Sequence, residues 1–315
     1  MNPLQNSFGI KSESGAGTIV NVSVIIVNYN SSSFIQDCFQ SLLKNIDKND
    51  EIIVVDNNST DDSVEIIKKY KNIKLIQLKK NLGYGAGCNT GAKNAKGNFL
   101  FFMNPDVQLL NPINRIKKLY SENPDYSVIV PAVLISNKIY SSIWRLPTVL
   151  REFFGDLNLI KRKYYPINKT YKQTTIEINK NQFASGAALF IKKDIFNKIG
   201  GFDKNFFMYF EDTDLFARIH ALHDRSFLSS NVKITHLVGE SSTGLGAKKT
   251  IYHYSSKFYY FKKHYPNMFF NIHRTLTIIA LILKIIIFSI LYEFSKNKSQ
   301  KIKTYFSCIK IYLNW

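Results

Sequence analysis

Three acids stand together in Glu211-Asp212-Thr213-Asp214, where a helical pattern begins. A carboxylate held at a rigid helix N-terminus can take the proton of a hydroxyl while that oxygen attacks an electrophile. The helix dipole accounts for one or two acids in a first turn. Three repel one another and point to something cationic or chemical nearby. A further acid, Asp106, closes Asn104-Pro105-Asp106 just past an apolar strand. Asn-Pro-Asp is good turn chemistry. One carboxylate at that place can also hold Mg²⁺ or Mn²⁺, with phosphate oxygens and water completing the shell. Asp56 ends another apolar strand, where it can accept hydrogen bonds from a nucleobase imide or a ribose, or cap the next helix. Ser59, Thr60 and Asp61 already offer caps, which leaves Asp56 free for a ligand. His236 ends a strand too and is a candidate metal ligand, although a lone histidine is more often structural.

These residues must be positioned by something, and the sequence outlines it. Val22–Val27, Glu51–Val55, Ile73–Leu78 and Phe99–Met103 read as apolar strands, alternating with helical patterns. Continuous apolar strands between helices mean a parallel sheet covered on both faces, with ligands bound beyond the carboxyl ends of the strands. Asn28–Asn30, Asp56–Asn58 and Asn104–Asp106 fall at those ends and point to one shared crevice. The first helix is expected to show Phe34, Cys38, Leu42 and Leu43 on one face, with Ser31–Ser33 as caps.

Further on, Ser127–Val133 reads as a strand and Asn137–Lys180 as irregular. Phe183–Ile191 is expected as one stretch of regular structure. A short helix follows, capped by Asp194 and stopped by Gly200-Gly201. Two short strands are then expected to lead to His236. Gly87, Gly91 and Ala95 recur every four residues, and close helix–sheet packing explains the two glycines. Gly83 and Asn89 could in addition let a ligand approach the backbone. The Gly83-x-Gly85-x-Gly87 run follows the third strand and lacks G-x-G-x-x-G spacing, which disfavours a nicotinamide cofactor.

The 315 residues carry 42 Lys+Arg against 23 Asp+Glu, a formal charge of +19. Such an excess favours an anionic partner: a nucleic acid, an acidic membrane or a phosphorylated substrate. The basic residues are spread out and no nucleic-acid motif appears, so nucleic acid is set aside. Cys38, Cys88 and Cys308 form neither a disulfide framework nor a zinc spacing. Residues 1–20 are polar and Gly/Ser-rich, read as a flexible leader without the apolar core of a signal peptide. Residues 251–315 are aromatic, basic and helical in pattern. Leu276–Tyr292 is nearly all apolar around Lys284, flanked by Lys262, Lys263 and Arg274 and by Lys296, Lys298, Lys301 and Lys303. An interfacial helix or short hairpin on an anionic membrane is favoured over a clean span.

Taken in order, the stretches VSVIIVNYN, IIVVDNNSTDDS, NLGYGAGCNTGAKNAKG, FFMNPDV, SGAALFIKKDIFNKIGGFDKNFFMYFEDTDLFARI and ITHLVGESS resemble the family 2 glycosyltransferases of GT-A fold. The likeness is greatest to a bacterial rhamnosyltransferase-like branch and runs from Val22 to about Ser242. The resemblance implies an α/β, Rossmann-like, mostly parallel sheet flanked by helices, with a C-terminal helical membrane-associating extension. The transferase domain would span 21–250, with a nucleotide half at 21–110 and an acceptor half at 111–250. Asn28, Asn30 and Asp56 would line the nucleoside pocket, and Gly83 and Asn89 would border the nucleotide. Asn104 stands where the general pattern has the first acid of DxD, a departure the branch shares. Asp106 and His236 would hold the metal. Asp212 would be the general base, supported by Glu211 and Asp214.

The implied activity is an inverting, metal-dependent transfer of a sugar, L-rhamnose or a related hexose, from a dTDP- or UDP-sugar donor. The acceptor would be lipid-linked or a polysaccharide, at the cytoplasmic face of a bacterial inner membrane. A nucleotidyltransferase would want a glycine-rich loop after the first strand, and Val22–Ser33 contains no glycine. A membrane-bound scaffold with an inactive site is the alternative of another class, opposed by the intact acids at 106, 212 and 214.

Overall fold

The computed structural model describes residues 21–135, 138–160, 165–166, 175–236, 245–291 and 298–314. The expected leader, Leu237–Ser241 and Lys296 lie outside these residues. Four apolar runs form β1 (Val22–Asn28), β2 (Glu51–Asp56), β3 (Ile73–Gln77) and β4 (Phe99–Met103), paired in parallel in the order β3-β2-β1-β4. They are linked by α1 (Ile35–Leu43), α2 (Ser63–Lys68) and α3 (Tyr84–Asn94). β1 is buried along its whole length because both its faces are covered. Val24 and Ile26 pack with Cys38, Phe39 and Leu42 of α1, while Ile25 and Val27 pack with Cys88 and Ala92 of α3. The small face of α3 lies tight on β1: a Cβ on Gly91 would sit 2.4 Å from Ile25 Cγ2, and one on Gly87 2.8 Å from Val27 Cγ1.

Two local expectations are corrected. Leu43 is exposed, and Phe39 takes the core position of α1. The cap position of α1 is Phe34, without a side-chain cap. Ser31 instead turns its hydroxyl back to Asn28 Oδ1, and its carbonyl accepts the N–H groups of Phe34 and Ile35 at 3.0 Å each.

Beyond β4 come β5 (Val107–Leu109), α4 (Asn114–Glu122) and β6 (Tyr126–Ile135). The stretch expected to be irregular carries β7 (Lys138–Ser141), β8 (Ile143–Arg145), α5 (Val149–Asp156), β9 (Tyr165–Pro166) and β10 (Thr175–Ile178). Then follow β11 (Gln182–Ala184), β12 (Ala188–Lys192), α6 (Lys193–Lys198), α7 (Glu211–Ala221) and β13 (Arg225–His236). The main sheet runs β10-β13-β6-β12-β4-β1-β2-β3 and turns mixed at β12, which is antiparallel to both β4 and β6.

The expected single run at 183–191 breaks at Ser185-Gly186-Ala187. β11 leaves to pair with β8, while β12 joins the main sheet. The two short strands expected before His236 are one twelve-residue strand with an irregularity between Ser229 and Lys233. Asp194 lies inside α6 rather than capping it, and Gly200 and Gly201 end that segment at φ +76° and +71°.

Three helices close the chain: α8 (Ala247–His264), α9 (Asn267–Leu291) and α10 (Lys298–Leu313). A buried ion pair ties them to α5, with Lys257 Nζ 2.6 Å from both oxygens of Asp156. α9 is longer than the expected apolar stretch, and much of its apolar surface faces outward while some polar side chains turn in. His273 and Thr277 are buried and Lys284 Nζ lies 3.4 Å from Tyr254 Oη, while Ile279, Ile282, Leu283, Ile286, Ile287 and Ile290 are exposed. Its length and composition would suffice to cross a membrane, and only 22% of its most apolar window is buried against the protein. Some cations expected to face lipid are engaged internally: Lys263 pairs with Asp203 and Asp214, and Arg274 donates to the carbonyls of Tyr312 and Leu313.

Candidate active site

The ends of β1, β2 and β4 meet α7, the break before β12 and the start of α8 around a cavity of ≈ 490 Å³. Asn57, Gly83, Asn104, Glu211, Asp212 and His236 all line it. It therefore gathers side chains from strand ends that are far apart in the chain, as expected at the carboxyl edge of a parallel sheet.

The nucleotide-side loops are held by a dense polar network. Asn28, fully buried at the end of β1, donates to Asp56 Oδ1 at 2.8 Å, to Ser63 Oγ at 2.8 Å and to Ser59 Oγ at 3.1 Å. Asp56 is 2% exposed and its second oxygen accepts the Ser59 N–H at 3.2 Å. Asn30, in the left-handed region at φ +50°, accepts the Thr60 N–H at 2.7 Å. None of these three lines the cavity. They lock the two loops against each other, and the neighbouring Tyr29 and Asn57 reach the wall instead. Asn57 fixes the turn before α3, donating to the Gly83 carbonyl at 3.0 Å and accepting the Leu82 N–H at 2.9 Å.

Gly83 has φ +88°, and a Cβ there would lie 2.2 Å from the Phe207 carbonyl oxygen, which also accepts the Tyr84 N–H. Only glycine fits both the dihedral and the approach. Asn89 is placed differently from the expectation that it borders the nucleotide. Its amide bonds the backbone of Phe202 in both directions, at 2.7 and 2.9 Å, and does not line the cavity.

Asp106 and His236 meet because β5 pairs with β13 in a register that sets Val107 opposite His236. Asp106 Oδ1 lies 3.5 Å from His236 Nε2. Both carboxylate oxygens of Asp106 and Nδ1 of His236 are buried without a hydrogen-bond partner among the described residues. A buried carboxylate left so poorly satisfied is costly unless something else completes its shell. Among the described residues no group of three or more His, Cys, Asp or Glu gathers as a metal centre. The residues present fit a cation held by one carboxylate and one imidazole, with the remaining ligands drawn from substrate and water.

The acids of α7 divide into two sets. Asp212 faces the cavity, with Oδ2 accepting the Gly186 N–H at 3.1 Å and Oδ1 the Thr213 N–H at 2.7 Å. Glu211 also lines it. Burial, and then the adjacent charge of Asp212, push the Glu211 carboxyl up to about 8. Asp214 points elsewhere: it is fully buried among Arg218, Lys263 and His264, at 2.8, 2.6 and 2.7 Å, and fastens α7 to α8. Burial alone would raise that carboxyl, but the His264 hydrogen bond and the charges of Arg218 and Lys263 outweigh it and hold it below the usual carboxylate range. The two residues before α7, Tyr209 and Phe210, both take left-handed backbone conformations, at φ +69° and +64°. Such conformations cost about 1 kcal/mol or more each and concentrate at functional sites.

Sequence reasoning missed Lys248, Lys249 and Tyr252, which α8 brings to the cavity. Two lysines in the first turn of a helix oppose its dipole, and that turn carries no acid of its own in sequence. That misfit was a readable hint of an anion.

The sequence profile described as "Glycosyl transferase family 2" matches residues 23–200. The chain is similar to N-acetylglucosaminyl-diphospho-decaprenol L-rhamnosyltransferase of Mycobacterium tuberculosis, 26% identical over 215 residues, 62% of this chain and 69% of the relative. It is also similar to UDP-Glc:alpha-D-GlcNAc-diphosphoundecaprenol beta-1,3-glucosyltransferase WfaP of Escherichia coli, 40% identical over 87 residues, 27% of this chain and 35% of the relative. Among solved structures, S. aureus TarS 1–349 superposes with a TM-score of 0.52 at 18% identity, covering 93% of this chain and 89% of that one. GalNAc-T7 bound to UDP, GalNAc and Mn²⁺ gives a TM-score of 0.55 at 16% identity, covering 70% of this chain and 44% of that one. These two likenesses show a GT-A fold.

Proposed function

This chain belongs to glycosyl transferase family 2, and on that footing we propose that it moves a hexose from a nucleoside-diphosphate donor onto a prenyl-diphosphate-linked sugar, with inversion at the anomeric carbon. The observation that carries the reading is that Asp212 and the nucleotide-side loop residues Asn57, Gly83 and Asn104 share one cavity. The mycobacterial rhamnosyltransferase and WfaP, whose names specify diphospho-polyprenol acceptors, support the acceptor class. The rhamnosyltransferase supports rhamnose as the first donor sugar to test.

Asp212 stands as the base for the acceptor hydroxyl. Both its oxygens are fixed by backbone N–H groups, so the carboxylate needs little reorganisation to receive a proton. A single attack from the face opposite the leaving group needs no enzyme nucleophile, and this leads to inversion. Glu211, largely protonated at neutral pH by its burial, keeps a second negative charge away from the base. Asp106 and His236 would hold a divalent cation that neutralises the diphosphate of the donor. Lys248 and Lys249 add positive charge to the same cavity. The exposed apolar face of α9 supports attachment to the membrane in which a prenyl-linked acceptor resides.

The test is release of nucleoside diphosphate from a panel of dTDP- and UDP-sugars, with Mn²⁺, Mg²⁺ or EDTA and a prenyl-diphospho-sugar acceptor. Metal-dependent turnover of one donor is expected. Nucleotide binding measured on the same samples separates a wrong acceptor from a wrong reading: no binding of any nucleotide would sink the transferase assignment and favour an inactive scaffold.

A further inference from the structure

A second cavity, of ≈ 570 Å³, opens between β8, α5 and α8, and Arg145, Arg151, Asn181, His264, Phe154 and Ile160 are among its walls. Among the described residues the arginine ion pairs belong to Arg218 and Arg225, so Arg145 and Arg151 bring to one concavity two guanidinium groups that make no ion pair among those residues. A guanidinium is the side chain best matched to a phosphate, through paired, planar N–H donors.

The surroundings of these cations are unusual for a polar site. Leu150, Phe154, Leu159 and Ile160 stand exposed on and just after α5, Leu150 at 63% and Leu159 at 69%. α5 packs directly on α9, whose own outward face is a row of isoleucine and leucine. Exposed apolar side chains on two helices packed against each other mark an interaction surface. A cationic hollow at its edge fits an amphiphile with an anionic head.

The hollow is also tied to the reacting centre. Asn181 lines it, and Ser185 and Gly186, on the far side of β11, line the cavity that holds Asp212. Three residues of extended chain separate Asn181 from Ser185, four steps that span at most about 13 Å at ~3.3 Å per residue. His264 lines the second cavity and bonds Asp214, two residues along α7 from Asp212.

We propose that this second cavity binds the diphosphate of a prenyl-diphospho-sugar, with Arg145 and Arg151 as its cations, the prenyl chain lying along α5 toward the apolar face of α9, and the sugar directed to Asp212. The inference rests on the acceptor class proposed above, and it assigns that acceptor its own site.

Farnesyl diphosphate is the probe. Its affinity for the full chain is measured with UDP or dTDP saturating, so that the donor cavity is filled. Wild type is compared with the double variants Arg145→Ala/Arg151→Ala and Arg145→Lys/Arg151→Lys, with thermal unfolding midpoints taken on the same samples. Loss of two charge-assisted contacts predicts binding ~10- to 100-fold weaker in the alanine variant. The lysine variant, which keeps charge but not the planar fork, is expected in between. Inorganic pyrophosphate and farnesol should each bind more weakly than farnesyl diphosphate. Equal affinity of wild type and a folded alanine variant would overturn the site, and pyrophosphate binding as tightly as farnesyl diphosphate would overturn the prenyl path. A separate turnover assay with prenyl-diphospho-N-acetylglucosamine isolates the acceptor reading. Arginine-dependent binding without sugar transfer would reject that acceptor and leave the binding site standing.

Discussion

Gly186 donates its backbone N–H to Asp212 Oδ2 at 3.1 Å, and this bond joins the break between β11 and β12 to the first turn of α7. A Cβ at Gly186 would fall 3.3 Å from Asp212 Cβ, so a small residue there lets the two segments approach. Replacing Asp212 by Asn preserves the shape and removes the basicity. We expect the rate of transfer to fall ~10²- to 10⁴-fold with donor affinity little changed. Single-turnover transfer beside equilibrium nucleotide binding measures both, and near-normal turnover would remove Asp212 from the role of base.

Asp106 is a buried carboxylate whose oxygens accept no hydrogen bond among the described residues, with His236 Nε2 3.5 Å away. Without divalent cation, Asp106→Asn removes an uncompensated buried charge, and the variant should unfold at higher urea than wild type, by about 1–3 kcal/mol. Mn²⁺ should then stabilise the wild type by mass action and leave the variant unmoved. Equal stabilisation of both proteins would show that the cation binds elsewhere.

Glu211 gives a pH signature. Its carboxyl titrates near an ordinary 4.5 in the unfolded chain and about 8 in the folded one. Between those values the native state binds a proton that the unfolded state has released, so stability falls as pH rises through this window and levels off above it. Glu211→Gln should abolish that slope. Urea unfolding at pH 5, 6, 7 and 8 tests this, and parallel curves for the two proteins would refute it.

The pair Lys257–Asp156 is buried on both sides, at 0% and 7% side-chain exposure. Lys257→Met leaves a buried carboxylate behind and should destabilise the protein by about 3–5 kcal/mol. Adding Asp156→Leu should restore most of the loss, because an apolar pair has no charge to desolvate. If chemical denaturation shows the two changes to be simply additive, the ion pair does not join α5 to α8 as described.

How much could be read beforehand depended on range. The parallel half was legible because β1, β2 and β4 are unbroken apolar runs closed by Asn and Asp, a pattern that two-sided burial requires. β5, β8 and β11 have three residues each, too few for any period to register, yet they set Asp106 against His236 and Arg145 beside Gln182. Asn89 looked like a ligand residue, and the backbone that occupies it, Phe202, lies 113 positions away. Asp214 shared a motif with Asp212, but besides Arg218 on its own helix its partners, Lys263 and His264, come from a helix about fifty residues later. Alternation within a segment reports burial, and it cannot report which distant segment supplies the partner.

The position of α8 in the chain orders events during synthesis. Domains emerge and fold from the N-terminus, and the wall bearing Lys248, Lys249 and Tyr252 follows every other element around the Asp212 cavity. A ribosome-bound chain that already holds its sheet and α7 still lacks these two cations and the tie between Lys263 and Asp214. On the proposed function, the cavity is therefore completed late, together with the apolar face of α9, and a half-made chain would lack both the full donor cavity and the surface proposed to meet a membrane.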